Sequence, residues 1–158
     1  MGMKLQLAFA LAHAPKLLLL DEATAGLDPL ARAKAVDVLR DFVSDGLRGI
    51  LLSTHITSDL EECADIITCI DQGRIAFSLP KDDISGLAGI ARCTAADFAT
   101  LEEAGYLSRE NVRVSKKAYS TDVLVPDRFA FEREFPRIPC DPATIETYLL
   151  MTLGRDEL

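Results

Sequence analysis

The stretch Lys16-Leu17-Leu18-Leu19-Leu20-Asp21-Glu22-Ala23-Thr24-Ala25-Gly26-Leu27-Asp28 drives four leucines into two adjacent carboxylates and runs on through a short loop to Asp28-Pro29. A continuous apolar run of this length, with Pro15 before it and Gly26 after, has the pattern of a parallel-sheet strand covered on both faces. The carboxyl end of such a strand is where open α/β sheets place their chemistry. Asp21 and Glu22 stand at that end. Taken alone, a core strand that ends in a solvated Asp-Glu turn reads the same way, so the flanking segments decide.

Downstream, Asp28 is a natural N-cap and Pro29 a natural first helical residue, and Leu30, Ala31, Ala35, Val38, Leu39 and Phe42 mark one apolar face. This helix is expected to end between Ser44 and Gly46. A second strand, Gly49-Ile50-Leu51-Leu52-Ser53, follows and leads into Thr54-His55. Strand, helix, strand makes a βαβ crossover, which puts both strand ends on one edge of the sheet. Asp21, Glu22 and His55 can therefore converge. Upstream, Leu5, Ala8, Phe9 and Ala12 have the spacing of a helix that buries one face. It opens at residue 1 without a cap, as though its entry loop had been cut away.

Composition narrows the function classes. The 158 residues carry 17 basic and 25 acidic side chains, a formal charge of -8, divided evenly at -4 each between residues 1–80 and 81–158. No basic face stands out, which argues against nucleic acid or an anionic membrane surface as a direct partner. The apolar runs are too short to cross a bilayer and no signal-peptide pattern opens the chain, so no direct membrane insertion is expected. Cys63, Cys69, Cys93 and Cys140 form no CxxC pair, and His13 and His55 are the only histidines, so reduced, packed thiols are expected rather than zinc. The terminal Arg155-Asp156-Glu157-Leu158 is similar to a retrieval tail by chance only.

With these residues in place, a family resemblance emerges. Leu17 to Glu22 resembles the Walker B motif of ATP-binding-cassette (ABC) transporter ATPases, Ala25-Gly26-Leu27-Asp28 their D-loop, and Ser53-Thr54-His55 their switch-histidine loop. Gly2-Met3-Lys4-Leu5 resembles the tail of the ABC signature in the variant associated with ABC-2 type exporters. Each motif is weak alone. Their order, separation and placement on strands and loops make the set specific. The resemblance implies an α/β fold: a partial P-loop NTPase (RecA-like) core of parallel strands and flanking helices.

The resemblance also implies roles. Asp21 would hold Mg²⁺ through water, since magnesium takes hard oxygen ligands and keeps much of its hydration shell. Glu22 would orient or deprotonate the water attacking the γ-phosphate of ATP, and His55 would hydrogen-bond both that phosphate and Glu22. Asp28 would lie at the interface with a second ABC ATPase subunit, though a capping role explains it equally well. Gly2, Met3 and the start of their helix would face the partner's nucleotide, where free N–H groups favour anions. A transmembrane permease subunit would complete the transporter, holding the chain peripherally at the cytoplasmic face of the membrane. The resemblance covers about residues 1–80. Residues 1–158 contain no GxxxxGK[ST] phosphate loop and no Q-loop, so ATP and Mg²⁺ are expected only in a completed site. Without the missing strands the switch-histidine strand would expose an unpaired edge, and the isolated chain is expected to be poorly stable.

Further along, Thr57 or Ser58 can cap a short helix with Glu61 or Glu62 back-bonding. Ile66 to Asp71 and Ile75 to Ser78 then pair as a hairpin, with Gly73 at a positive φ. Pro80 to Gly89 reads as a looser entry to a small α+β carboxyl-terminal lobe, residues 81–158. It is expected to hold a helix from Ala95 to Gly105 and strands at 111–115 and 122–126. Phe129, Phe131 and Phe135 read as core or docking side chains. The helix after Asp141-Pro142 is similar to the ending of ABC-2 type ATPases. No catalytic constellation is found in this lobe, and a regulatory or dimer-stabilising role is expected.

Two function classes follow: part of an ATP-hydrolysing export motor, inactive as this segment alone, or a non-catalytic module docking on a complete ABC ATPase. A phosphate loop encoded ahead of Met1 would favour the first. An unrelated P-loop ATPase is the distant alternative, because Walker B is widely shared.

Overall fold

The computed structural model describes residues 2–116 and 120–154, with side chains from residue 5 onward, and divides into two compact units, residues 1–64 and 65–158. The resemblance groups residues 1–80 together. By packing, the hairpin after Ala64 belongs to the second unit.

In the first unit, α1 (Gly2–Ala12) leads into β1 (Leu17–Asp21), α2 (Pro29–Val43), β2 (Gly49–Ser53) and α3 (Thr57–Cys63). β1 and β2 pair in parallel, with Leu18 opposite Ile50, Leu20 opposite Leu52 and Asp21 opposite Ser53. α2 starts as its sequence dictates. Asp28 accepts a hydrogen bond from the Ala31 N–H at 2.9 Å, and Pro29 takes the first turn, where its missing N–H is no loss. Leu18, Leu39 and Phe42 form the core, with Leu7, Ala10, Leu11, Leu20 and Ile50 packed around them.

Four expectations change here. The leucine strand is not covered on both faces: Leu18 is buried, but Leu17 and Leu19 are 57% and 69% exposed, as is Leu51 at 66%. Among the described residues only one face of this two-stranded sheet carries a helical layer, so alternate leucines look outward. α1 packs the half-buried Leu7, Ala10 and Leu11 against the core rather than Leu5 and Phe9, which are 72% and 68% exposed. That helix is apolar around most of its circumference, so periodicity could not choose its inner face. In α2, Leu30 and Val38 are exposed and Val36 takes their place in the core. α3 is capped at Ile56 without a side-chain bond. Thr54 Oγ1 instead accepts from the Ile56 N–H at 3.0 Å, so neither Thr57 nor Ser58 is the cap.

The second unit opens with the hairpin β3 (Ile66–Asp71) and β4 (Arg74–Pro80). Gln72 and Gly73 both have positive φ, +47° and +75°, the two-residue turn whose twist suits a tight hairpin. The segment expected to be loose is ordered: a π-helical turn, Asp83–Leu87, runs into β5 (Gly89–Cys93). Then come α4 (Ala95–Glu103), β6 (Arg113–Lys116), β7 (Thr121–Val125), α5 (Arg128–Glu134), β8 (Cys140–Pro142) and α6 (Ile145–Leu153). The antiparallel sheet runs β6-β7-β5-β8, so the βαββαβ order forms two interleaved split βαβ units.

One face of this sheet carries Ala91, Cys93, Val123 and Val125, packed in one cluster with Leu101, Tyr106 and Phe131. Of the three phenylalanines, Phe131 is fully buried, Phe135 packs beside it and Phe129 is 46% exposed. α6 packs against β6, and Tyr148 meets Phe77 of the hairpin edge-on at 5.2 Å. Its cap is Thr144, and Gly154 at φ +64° ends it. None of the four cysteines forms a disulfide among the described residues. The Arg155–Leu158 tail lies outside the described residues.

Two predictions arise from this unit. A Cβ at Gly89 would sit 2.6 Å from Cys140 Sγ and 2.7 Å from Arg128 Cβ, so Gly89→Ala is expected to cost about 1–3 kcal/mol in denaturant unfolding. An unchanged midpoint would contradict the tight β5–β8 contact. Burial pushes the Cys93 and Cys140 thiols from the ordinary 9.0 up to about 11. The folded state therefore keeps protons that the unfolded chain releases, and stability present below pH 9.0 is expected to be lost as pH rises toward about 11. Cys93→Ala should flatten that alkaline decline in a pH-dependent melt.

Candidate active site

The carboxyl ends of β1 and β2 bring Asp21, Glu22, Ser53 and His55 to one edge of the first unit. Parallel register sets Asp21 beside Ser53, and the Ser53 hydroxyl donates to Asp21 Oδ1. The ladder extends one residue further: the Glu22 N–H donates to the Ser53 carbonyl at 2.9 Å. Glu22 itself leaves the strand conformation at φ +49°, a left-handed geometry that a non-glycine residue holds only when its surroundings over-determine it.

That turn aims Glu22 across the sheet edge. His55 Nδ1 lies 2.8 Å from both carboxylate oxygens, with hydrogen-bond geometry toward Oε1. With the carboxylate as acceptor, Nδ1 carries the proton and Nε2 is left to face a ligand. The two side chains are 75% and 39% exposed, so the pair contributes little to stability and its value is positional. Glu22 Oε2 is buried and makes no hydrogen bond among the described residues. Both oxygens of the Glu22 carboxylate are thus held against the His55 ring.

Beside Asp21 a hollow of about 220 Å³ opens between α1 and β1, lined by Gln6, Leu7, Ala10, Leu19, Leu20 and Ala23. Asp21 is exposed, a hard oxygen donor at a strand end. No group of three metal-ligating side chains occurs among the described residues. A strand-end carboxylate of this kind suits magnesium, which is bound through one or two carboxylates, waters and substrate phosphates.

The other residues singled out from sequence lie at the starts of α1 and α2. Asp28 is exposed at the start of α2, where its carboxylate caps the helix. Gly2 opens α1, and the Met3 side chain lies outside the described residues. Sequence reading missed Ser53 as the partner of Asp21, although the parallel register implies it. It also missed a buried contact behind the site, Thr24 with Asp59, whose members are 35 positions apart and give no local signal.

No protein-family model matches the chain. Individual relatives do. The chain is 32% identical over 163 aligned residues to Nod factor export ATP-binding protein I of Rhizobium etli, covering 98% of this chain and 51% of that protein. It is 39% identical over 89 residues to the lantibiotic transport ATP-binding protein SrtF of Streptococcus pyogenes, covering 55% and 38%. It is 36% identical over 107 residues to the daunorubicin resistance ATP-binding protein DrrA3 of Streptomyces coeruleorubidus, covering 68% and 32%. The chain thus spans about a third to a half of the length of these relatives. No described helix is long and apolar enough to cross a membrane. Together with the strand-end carboxylates, the histidine facing them and the capped loop between, these matches mean that the chain belongs to the ABC transporter ATP-binding proteins, its sequence corresponding to a carboxyl-terminal segment of such a subunit.

Proposed function

We propose that this chain supplies the hydrolytic side of an ATP site in an ABC-2 type exporter, coupling ATP hydrolysis to export through a transmembrane permease. The observation that carries this reading is the Glu22–His55 pair at 2.8 Å at the ends of two parallel strands. In that role Glu22 orients the attacking water and takes its proton. His55 keeps the Glu22 carboxylate aligned through Nδ1 and offers Nε2 to the transferring phosphoryl group. Asp21, steadied by the Ser53 hydroxyl, would hold Mg²⁺ through water, and the ion when bound neutralises charge on the phosphate oxygens. Gly2 and Met3 at the start of α1, and Asp28 at the start of α2, would face a second ABC ATPase subunit. The chain would sit peripherally at the cytoplasmic face of the membrane.

Residues 1–158 contain no phosphate loop, so the binding side of the site must come from elsewhere and this segment is inactive alone. The second unit, with no catalytic cluster of its own, serves the assembly by regulation or by stabilising a dimer. The test is phosphate release by a subunit carrying residues 1–158 together with a phosphate loop. His55→Ala is expected to lower kcat by about 10²-fold or more with the KM for ATP little changed. Unchanged turnover would favour the second reading, a non-catalytic module docked on a complete ATPase.

A further inference from the structure

Thr24 and Asp59 are 0% and 3% exposed, and the Thr24 hydroxyl donates to Asp59 Oδ2 at 2.5 Å. Neither residue is used by the chemistry proposed above. Their positions are informative: Thr24 follows Glu22 by two residues, and Asp59 follows His55 by four. The loop around Thr24 is closed on itself, with the Ala25 N–H donating to the Glu22 carbonyl at 3.0 Å and the Leu27 N–H to the Thr24 carbonyl at 3.2 Å. On the other side, the Asp59 N–H donates to the Ile56 carbonyl at 3.2 Å, so Asp59 is fixed in the first turn of α3.

We propose that the buried Thr24–Asp59 hydrogen bond is the positioning element of the Glu22–His55 pair, holding the two side chains at hydrogen-bonding distance and His55 in its Nδ1–H tautomer. The strand ladder ties the pair from one side, through the Glu22 N–H to the Ser53 carbonyl. It reaches no further than Ser53, and His55 lies beyond it. Thr24–Asp59 ties the two segments again after both residues have been placed. An ion pair as exposed as Glu22–His55 does not hold its own geometry against solvent. A bond to a buried carboxylate does, because losing it would leave that group unsatisfied in a low-dielectric interior. The left-handed Glu22 backbone is the strain this tie restrains. Thr24 and Asp59 are thus positioning residues, acting through Glu22 and His55. The purpose of the device rests on the hydrolytic reading, but its existence is tested without ATP.

The experiment is ¹⁵N NMR of the imidazole nitrogens in the full 158-residue chain, at about pH 8.5 where an ordinary imidazole is neutral, with His13→Gln to assign the two histidines. The wild-type His55 is expected to be mainly Nδ1–H, and Glu22→Ala to return it to the Nε2–H form that free imidazole prefers. Thr24→Val, which keeps the volume and removes the hydroxyl, should produce most of the Glu22→Ala change, whereas Thr24→Ser should keep the wild-type tautomer. Amide dispersion checks that each variant is folded. A folded Thr24→Val chain with the wild-type tautomer would overturn the proposal. If Thr24→Val does not fold, Thr24→Ala, which also removes the hydroxyl, decides in its place: loss of the Nδ1–H form supports the tie, and the wild-type tautomer in a folded chain overturns it. Failure of the hydrolytic reading would leave these spectra unmoved, and failure here would leave that reading standing.

Discussion

Glu22→Gln is expected to reduce ATP turnover by about 10²- to 10⁴-fold, the range that a positioned general base supplies, in a subunit carrying this segment and a phosphate loop. The substitution keeps the shape of the side chain and one acceptor oxygen toward His55 Nδ1, which now lies 2.8 Å away. It removes the charge that makes Oε2 a base. Nucleotide binding should therefore survive, and single-turnover phosphate release is the measurement that separates the two. A loss confined to KM would mean that Glu22 binds nucleotide and does not act on the water.

The second large effect concerns stability. Phe131→Ala is expected to destabilise the second unit by about 3–5 kcal/mol, measured by denaturant unfolding. Phe131 is 0% exposed and sits at the centre of an aromatic group, 5.2 Å from the ring centroids of both Tyr106 and Phe135. Its side chain comes from α5 and lies in the same cluster as Val123 and Val125 of β7, so its removal leaves a void where helix and sheet meet. A change below about 1 kcal/mol would show that the site collapses around the truncation, or that this unit does not unfold cooperatively. Phe129→Ala, by contrast, removes an exposed ring and should be near neutral.

The α/β order around the site was legible because several independent signals agreed there. Four leucines, an Asp-Pro helix start and a second apolar run define βαβ almost without alternatives, and α2 begins on Asp28 and Pro29 as that pattern requires. Where only one signal was present, the reading failed. α1 is apolar on most sides, so its spacing pointed to Leu5 and Phe9 while the structure packs Leu7 and Leu11 against the core. The leucine strand was read as doubly covered from composition, but which face finds a helix depends on what else packs there.

In the second unit β5 and β8 were invisible. Gly89-Ile90-Ala91-Arg92-Cys93 has little β-branched character, and Cys140–Pro142 is three residues long, so both are strands because the sheet pairs them. The split βαβ topology follows only once those two are known. Behind the site, Thr24–Asp59 joins residues that no period or motif connects. Such a bond belongs to tertiary structure, and it is the feature of the site that sequence could least supply.

The central claim is that residues 1–158 hold the water-positioning side of an ATP site and not its phosphate-binding side. Isothermal calorimetry of Mg²⁺-ATP with the 158-residue chain tests it most directly, with Glu22→Gln alongside to stabilise any bound state. The account predicts no saturable heat from either protein at millimolar nucleotide. Saturable micromolar binding by either would contradict it and would locate a phosphate-binding element within this segment.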